Sequence, residues 1–158
     1  MSDPQARPNR LPWPPFIYLA AIAASLFAHI LFPLPWIGAP LSDILFAVGW
    51  LAVAATIALE YTAMRTLVRA RTTIMPNRPS EHLVTSGPFS FTRNPIYLGN
   101  TLLMIGIALI SGIAWFLPLA LIAAFATQKL AIEREERHLH ARFGKRYNDY
   151  ARRVRRWI

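Results

Sequence analysis

Two short segments of this 158-residue chain carry residue types suited to gripping a polar ligand. The first is Leu83-Val84-Thr85-Ser86-Gly87-Pro88-Phe89-Ser90-Phe91-Thr92-Arg93-Asn94-Pro95-Ile96-Tyr97-Leu98-Gly99. The second is Glu135-Glu136, followed by Phe143-Gly144-Lys145-Arg146-Tyr147. Gly87-Pro88 is turn chemistry that interrupts a helix and frees backbone donors and acceptors. Pro95 biases Asn94 away from helical geometry and opens a helix behind it. Phe89, Phe91 and Tyr97 are rings available to line a cleft, and an aromatic face attracts a ligand cation. Adjacent glutamates on a helix point about 100° apart, so one can face a site while the other caps or pairs. Taken singly, each piece also fits a plainer role. The first segment reads as an amphipathic connector with a helix start, and the glutamates, beside Arg134 and Arg137, as a solvated charged face.

Other polar residues carry less. Glu135 and His138 have the Glu-x-x-His spacing of di-metal bundles, but that architecture needs a second such motif and further glutamates, so no metal is expected. His29 lies inside an apolar block, where a bond to a neighbouring backbone group is expected. Arg65, Arg69 and Arg71 suit headgroup anchoring. The chain has no Cys, which excludes disulfides and thiolate metal sites.

The elements that must position these residues are apolar. Hydrophobic residues make up 54% of the chain and mean hydropathy is +0.33, too high for a typical soluble domain of this size. Four apolar blocks, at about 15–34, 41–61, 95–111 and 113–131, are expected to cross a membrane as helices. Ser111-Gly112 should fold the last two into an antiparallel hairpin. Along the chain, Lys and Arg number 2, 0, 5 and 0 before and between these blocks and 10 from Lys129 onward. Cationic loops stay cytoplasmic, so both termini and the 62–95 loop are expected there. Trp13, Trp36 and Trp115 fall near block ends, where amphipathic rings prefer the interface. Residues 131–158 read as a charged amphipathic helix broken near Gly144. Tyr147, Tyr150, Val154 and Trp157 recur at helical spacing, and that face could lie on the membrane or over the cytosolic mouth of the bundle. The formal charge of +9 does not imply nucleic acid, because the cations flank apolar blocks instead of forming a patch with interleaved aromatics. The expectation is one all-α domain over 1–158, a multi-pass membrane protein of about four spans. Its site segments, 65–95 and 131–158, would be cytoplasmic.

The two segments together resemble the isoprenylcysteine carboxyl methyltransferase and phospholipid methyltransferase family. Leu83, Val84, Thr85, Gly87, Phe89, Arg93, Pro95 and Tyr97 fall in register with the family's pattern, and Glu135, Glu136, Phe143 and Gly144 keep its mutual spacing. The resemblance covers roughly the C-terminal half. It implies a membrane-embedded enzyme that moves a methyl group from S-adenosylmethionine to a lipophilic acceptor: a prenylcysteine-type carboxylate, a phospholipid amine or another lipid. It further implies that Glu81, His82, Leu83, Val84, Gly87, Phe89, Asn94, Pro95, Ile96, Tyr97 and Glu135 contact the cofactor. Tyr97, Glu136 and Arg93 are the candidate catalytic residues. Two positions depart from the pattern. Asn94 stands where the family has His, and Ala131 stands where prenylcysteine enzymes have an Arg. Without that cation, an acceptor other than a prenylcysteine carboxylate is expected. The alternatives are a non-catalytic lipid-binding scaffold and an NADPH-dependent membrane reductase of related architecture.

Overall fold

The computed structural model describes residues 13–71 and 82–158, all helix, turn or extended connection with no strand among them. Helix α1 spans Trp13–Leu31 and α2 spans Leu41–Arg69. A short 3-10 turn, Gly87–Ser90, leads into α3, Pro95–Ser111. Helix α4, Phe116–Thr127, passes through a π-turn, Gln128–Ile132, into α5, Glu133–Phe143, and α6 spans Lys145–Arg153.

Among the described residues, three stretches are long and apolar enough to cross a membrane: Trp13–Leu31, Leu41–Arg69 and the continuous Phe116–Phe143. The apolar α3 is shorter, at 17 residues. Ile30, Leu51 and Leu121 are 76%, 69% and 67% exposed, side chains that water would penalise and lipid accepts. The chain is an integral membrane protein by the length and composition of these helices.

Two helices run on past the apolar blocks. Helix α2 runs past 61 to Arg69, because Tyr61 to Arg69 has no Pro or Gly to stop it. No break falls at 131. The π-turn carries the helix through, so α5 continues the α4 stretch and only α6 is separate. Gly144 divides α5 from α6 at φ 51°, a left-handed angle that glycine adopts without a Cβ clash. The expected hairpin turn is present: Gly112 closes α3 at φ 70° and its N–H bonds the Ala108 carbonyl. Helix α4 then starts at Phe116, three residues later than the apolar pattern suggests.

The core lies between α1, α3 and α4, where Tyr18, Met104, Ala108, Phe116, Ala120 and Ala123 are buried together. Helix α2 packs along α3 through small residues. A Cβ on Gly106 would fall 3.0 Å from Val53 Cγ2 and 3.1 Å from the Gly49 carbonyl, so glycine sets this close approach. At the opposite end from the site, Trp115 Nε1 donates to the Phe32 carbonyl at 2.7 Å and Trp36 packs on Gly112. His29 lacks the expected backbone bond at Nδ1, which is buried with no partner.

Candidate functional site

The polar motif opens α3. Asn94 is the N-cap and Pro95 the first helical residue, where a missing N–H costs nothing. The Asn94 side chain makes no cap bond. Its Nδ2 donates to the Arg156 carbonyl at 2.8 Å, while its backbone N donates to Thr92 Oγ1 at 3.2 Å. Arg93 N donates to the Arg155 carbonyl at 2.9 Å, and Thr92 pairs with Arg155 in an isolated parallel bridge. Thr92 Oγ1 reaches the Arg156 carbonyl at 3.3 Å. The extended residues after α6 therefore strap across the entrance of α3.

The glutamates arrive from the other side, one turn past the π-turn. A π-turn takes up one extra residue and rotates all that follows by about 100° relative to an unbroken helix. Glu135 then meets α3, and its Oε1 accepts the Tyr97 hydroxyl at 2.7 Å across 38 residues of sequence. Glu136 faces the strap. Its Oε1 and Oε2 accept Arg156 Nε at 3.0 Å and Nη2 at 2.7 Å, a forked pairing that fixes both partners. Arg93 Nη2 lies 3.3 Å from the same carboxylate, and Arg93 Nη1 donates to the Tyr147 hydroxyl at 3.2 Å. Glu133 Oε1 also lies 3.9 Å from Arg156 Nη1, and Arg93 Nε is buried with no acceptor.

Burial first, then the Glu136 charge, pushes the Tyr147 phenol up to about 12, so it stays protonated at neutral pH. Burial also raises Tyr150. The Glu136 hydrogen bond holds Arg156 above its ordinary value, against the lowering effect of burial.

Of the residues chosen from the sequence, Arg93, Asn94, Pro95, Tyr97, Glu135 and Glu136 come together here. Leu83 and Phe89 join through α6. Leu83 packs on buried Tyr147, Tyr150 and Val154, and the Phe89 carbonyl accepts the Tyr150 hydroxyl at 2.7 Å. Gly87, at φ 60°, lies against Thr66 of α2, where a Cβ would fall 2.8 Å from Oγ1. Val84 and Ile96 are half-buried and His82 is exposed. Glu81 lies outside the described residues. The face of α6 turns onto the bundle, but the helix ends at Arg153, so Trp157 is not part of it. Trp157 Nε1 instead donates to Gln128 Oε1 in the π-turn at 2.9 Å.

Sequence reasoning missed Tyr18 and Arg156. The Tyr18 hydroxyl donates to the Tyr97 carbonyl at 3.1 Å and lies 2.6 Å from Thr101 Oγ1. A phenol within an apolar block was a signal for it. Arg156 was lost in a basic run, where the sequence does not distinguish one cation from the next. Ala131 is wholly buried inside the π-turn.

A bundle of membrane helices with a strapped polar site at one end is the class this architecture defines. Residues 44–146 match the phospholipid methyltransferase family, and the chain belongs to that family. It is 33% identical over 140 residues to the nickel-cobalt-cadmium resistance protein NccN of Alcaligenes xylosoxydans xylosoxydans, covering 87% of this chain and 61% of that protein. It is 33% identical over 135 residues to the cobalt-zinc-cadmium resistance protein CzcN of Cupriavidus metallidurans, covering 84% of this chain and 56% of that protein. The chain thus spans about three fifths of the length of these curated relatives. Among the described residues no three His, Cys, Asp or Glu side chains are grouped to hold a metal.

Proposed function

We propose that this chain is a membrane-embedded S-adenosylmethionine-dependent methyltransferase acting on a lipophilic acceptor. The observation that carries the reading is the Tyr97–Glu135 bond, which joins the two motif segments across 38 residues in a buried corner. The residues present suit the cofactor. Arg93 Nε is a buried donor with no acceptor, fitted to a carboxylate or ribose oxygen. Leu83, Phe89, Asn94, Tyr97 and Glu135 are the groups we assign to holding it. When bound, S-adenosylmethionine supplies an electrophilic methyl group.

The chain's own part is positioning and exclusion of water. Tyr97 spends its proton on Glu135 and is oriented by Tyr18 behind its carbonyl. Glu136 is held by two guanidiniums, which make it an anchor for Arg93. We assign no general base. A carboxylate acceptor needs none, being already ionised, whereas an amine must shed its proton elsewhere. We assign an acceptor other than a prenylcysteine carboxylate, because Ala131 brings no cation. The relatives' names speak of metal resistance and name no acceptor.

The same reading takes the chain as one domain with α3 as a fourth span. Both termini and the polar site are placed at the cytoplasmic face, following the 2, 0, 5, 0, 10 cation alternation. Equilibrium binding of labelled S-adenosylmethionine and of NADPH to the detergent-purified protein tests the activity. Saturable binding of the first alone is expected. Binding of NADPH alone, or of neither, overturns the reading.

A further inference from the structure

We propose that Glu60, in the seam between α2 and α3, is a binding site for the ammonium group of a membrane-borne amine. That this amine is the methyl acceptor rests on the function proposed above; the binding site does not.

Glu60 is the sole charged residue from Ile44 to Met64. It lies nine residues before Arg69, about 13 Å along the axis from the basic end of α2. A charged group at that depth is costly and marks a functional position by default. The seam is shaped around it. A Cβ built on Gly99 would fall 2.8 Å from both Cγ and Oε1 of Glu60, so the absence of a side chain at 99 makes the space this carboxylate fills.

Among the described residues no donor reaches its inner oxygen. Glu60 Oε1 is buried with no hydrogen-bond partner. The nearby polar group on its own helix face, Thr56 Oγ1, donates to the Gly99 carbonyl at 3.2 Å instead. The ion pairs among the described residues involve Glu133 and Glu136, not Glu60. A buried acceptor with no donor costs free energy, which a ligand that brings the donor would recover.

The chemistry of that ligand follows from the surroundings. It must carry positive charge and a proton to donate, which an ammonium does. A metal ion would need further ligands, and no acidic or His group of three stands among the described residues. It must also reach the seam from lipid. Glu60 is half-buried, and its α2 neighbours Ile57, Tyr61 and Met64 are 63%, 59% and 41% exposed along the bilayer-facing side. An amine carried on an acyl chain meets both conditions. Gly99 is the fifth residue of α3 and Thr66, under Gly87, lies on the same helix as Glu60, so the amine would arrive beneath the polar motif.

The test uses the full chain in detergent, with dodecylamine and dodecanol as probes and their retention read by native mass spectrometry. The wild type is expected to bind the amine at least tenfold better than the alcohol. Glu60→Gln, of the same size against Gly99, should lose that preference while binding dodecanol and melting as the wild type does. Gly99→Ala should weaken the preference by displacing the carboxylate. Calorimetric S-adenosylmethionine affinity is measured on the same samples and should not change in Glu60→Gln. Equal binding of amine and alcohol by the wild type, or an amine preference that survives in Glu60→Gln, overturns the site. If the amine preference depends on Glu60 but the cofactor does not bind, the site stands and the methyltransferase reading falls. Repeating the comparison with phosphatidylethanolamine and phosphatidylglycerol identifies the carrier. Glu60-dependent preference there assigns a phospholipid headgroup, and its restriction to dodecylamine assigns a single-chain amine.

Discussion

At the residue scale the site turns on two carboxylates in adjacent positions with different company. Glu135 accepts a phenol, whereas Glu136 is clasped by Arg156 and touched by Arg93. Neighbours in sequence are thereby separated in role, as the 100° step between helical residues allows. Tyr97→Phe and Glu135→Ala are each expected to weaken S-adenosylmethionine binding about ten- to a hundred-fold, the range of a lost polar contact to a charged ligand at about 1.5–3 kcal/mol. Isothermal calorimetry on folded variants checks this, and wild-type affinity in both would remove the pair from the cofactor site. The buried phenols carry a pH signature. Tyr147 has a pKa of about 12 in the folded protein against an ordinary 10.0. The unfolded chain releases this proton first, so stability is fully present below pH 10 and falls as pH rises toward 12. Tyr147→Phe should flatten that alkaline loss in a series of thermal melts.

At the element scale, the residues after α6 behave as a strap tied at three places. These are the Thr92–Asn94 segment, the Glu136 carboxylate and Gln128 in the π-turn. Arg156→Ala is expected to speed hydrogen exchange of the Arg93 amide, which the strap protects through the Arg155 carbonyl. Unchanged protection would show that the backbone pairing holds without the clasp. The α2–α3 seam is the other tight element contact. Gly106→Leu places a side chain where even a Cβ meets Val53 and the Gly49 carbonyl. Overpacking of this kind costs about 1–3 kcal/mol and should lower the melting temperature in detergent.

At the scale of the whole molecule the arrangement resembles a cup. Apolar helices face lipid on their outer sides, the core lies between α1, α3 and α4, and polar segments from the second half of the chain close one end. Single cysteines are informative because the native chain has none. A cysteine at Gly38 should react with an impermeant maleimide from the non-cytoplasmic side, and one at Lys145 from the cytoplasmic side. Labelling of position 38 from the cytoplasm alone would reverse the proposed topology.

The sequence by itself determined what is local or cumulative. Long apolar runs imply membrane helices because roughly 20 residues of burial in lipid outweigh any other arrangement of that stretch. Gly112 and Gly144 mark chain reversals that favour positive φ, and Asn94-Pro95 marks a helix start. The motif residues were readable because their types and spacing recur in a family. Tertiary structure alone decided which polar groups meet. The Tyr97–Glu135, Asn94–Arg156 and Tyr18–Thr101 contacts join residues 38, 62 and 83 positions apart. Nothing local distinguishes Arg156 from Arg152, Arg153 or Arg155, and only the strap's path brings its guanidinium onto Glu136. The π-turn was equally hidden, since Gln128–Ile132 has ordinary helical composition and its extra residue is set by how α4 packs. Two of the site's supports, Tyr18 and Arg156, lie outside the 44–146 stretch that defines the family, so the pairing of that stretch with its flanks is what the packed bundle adds.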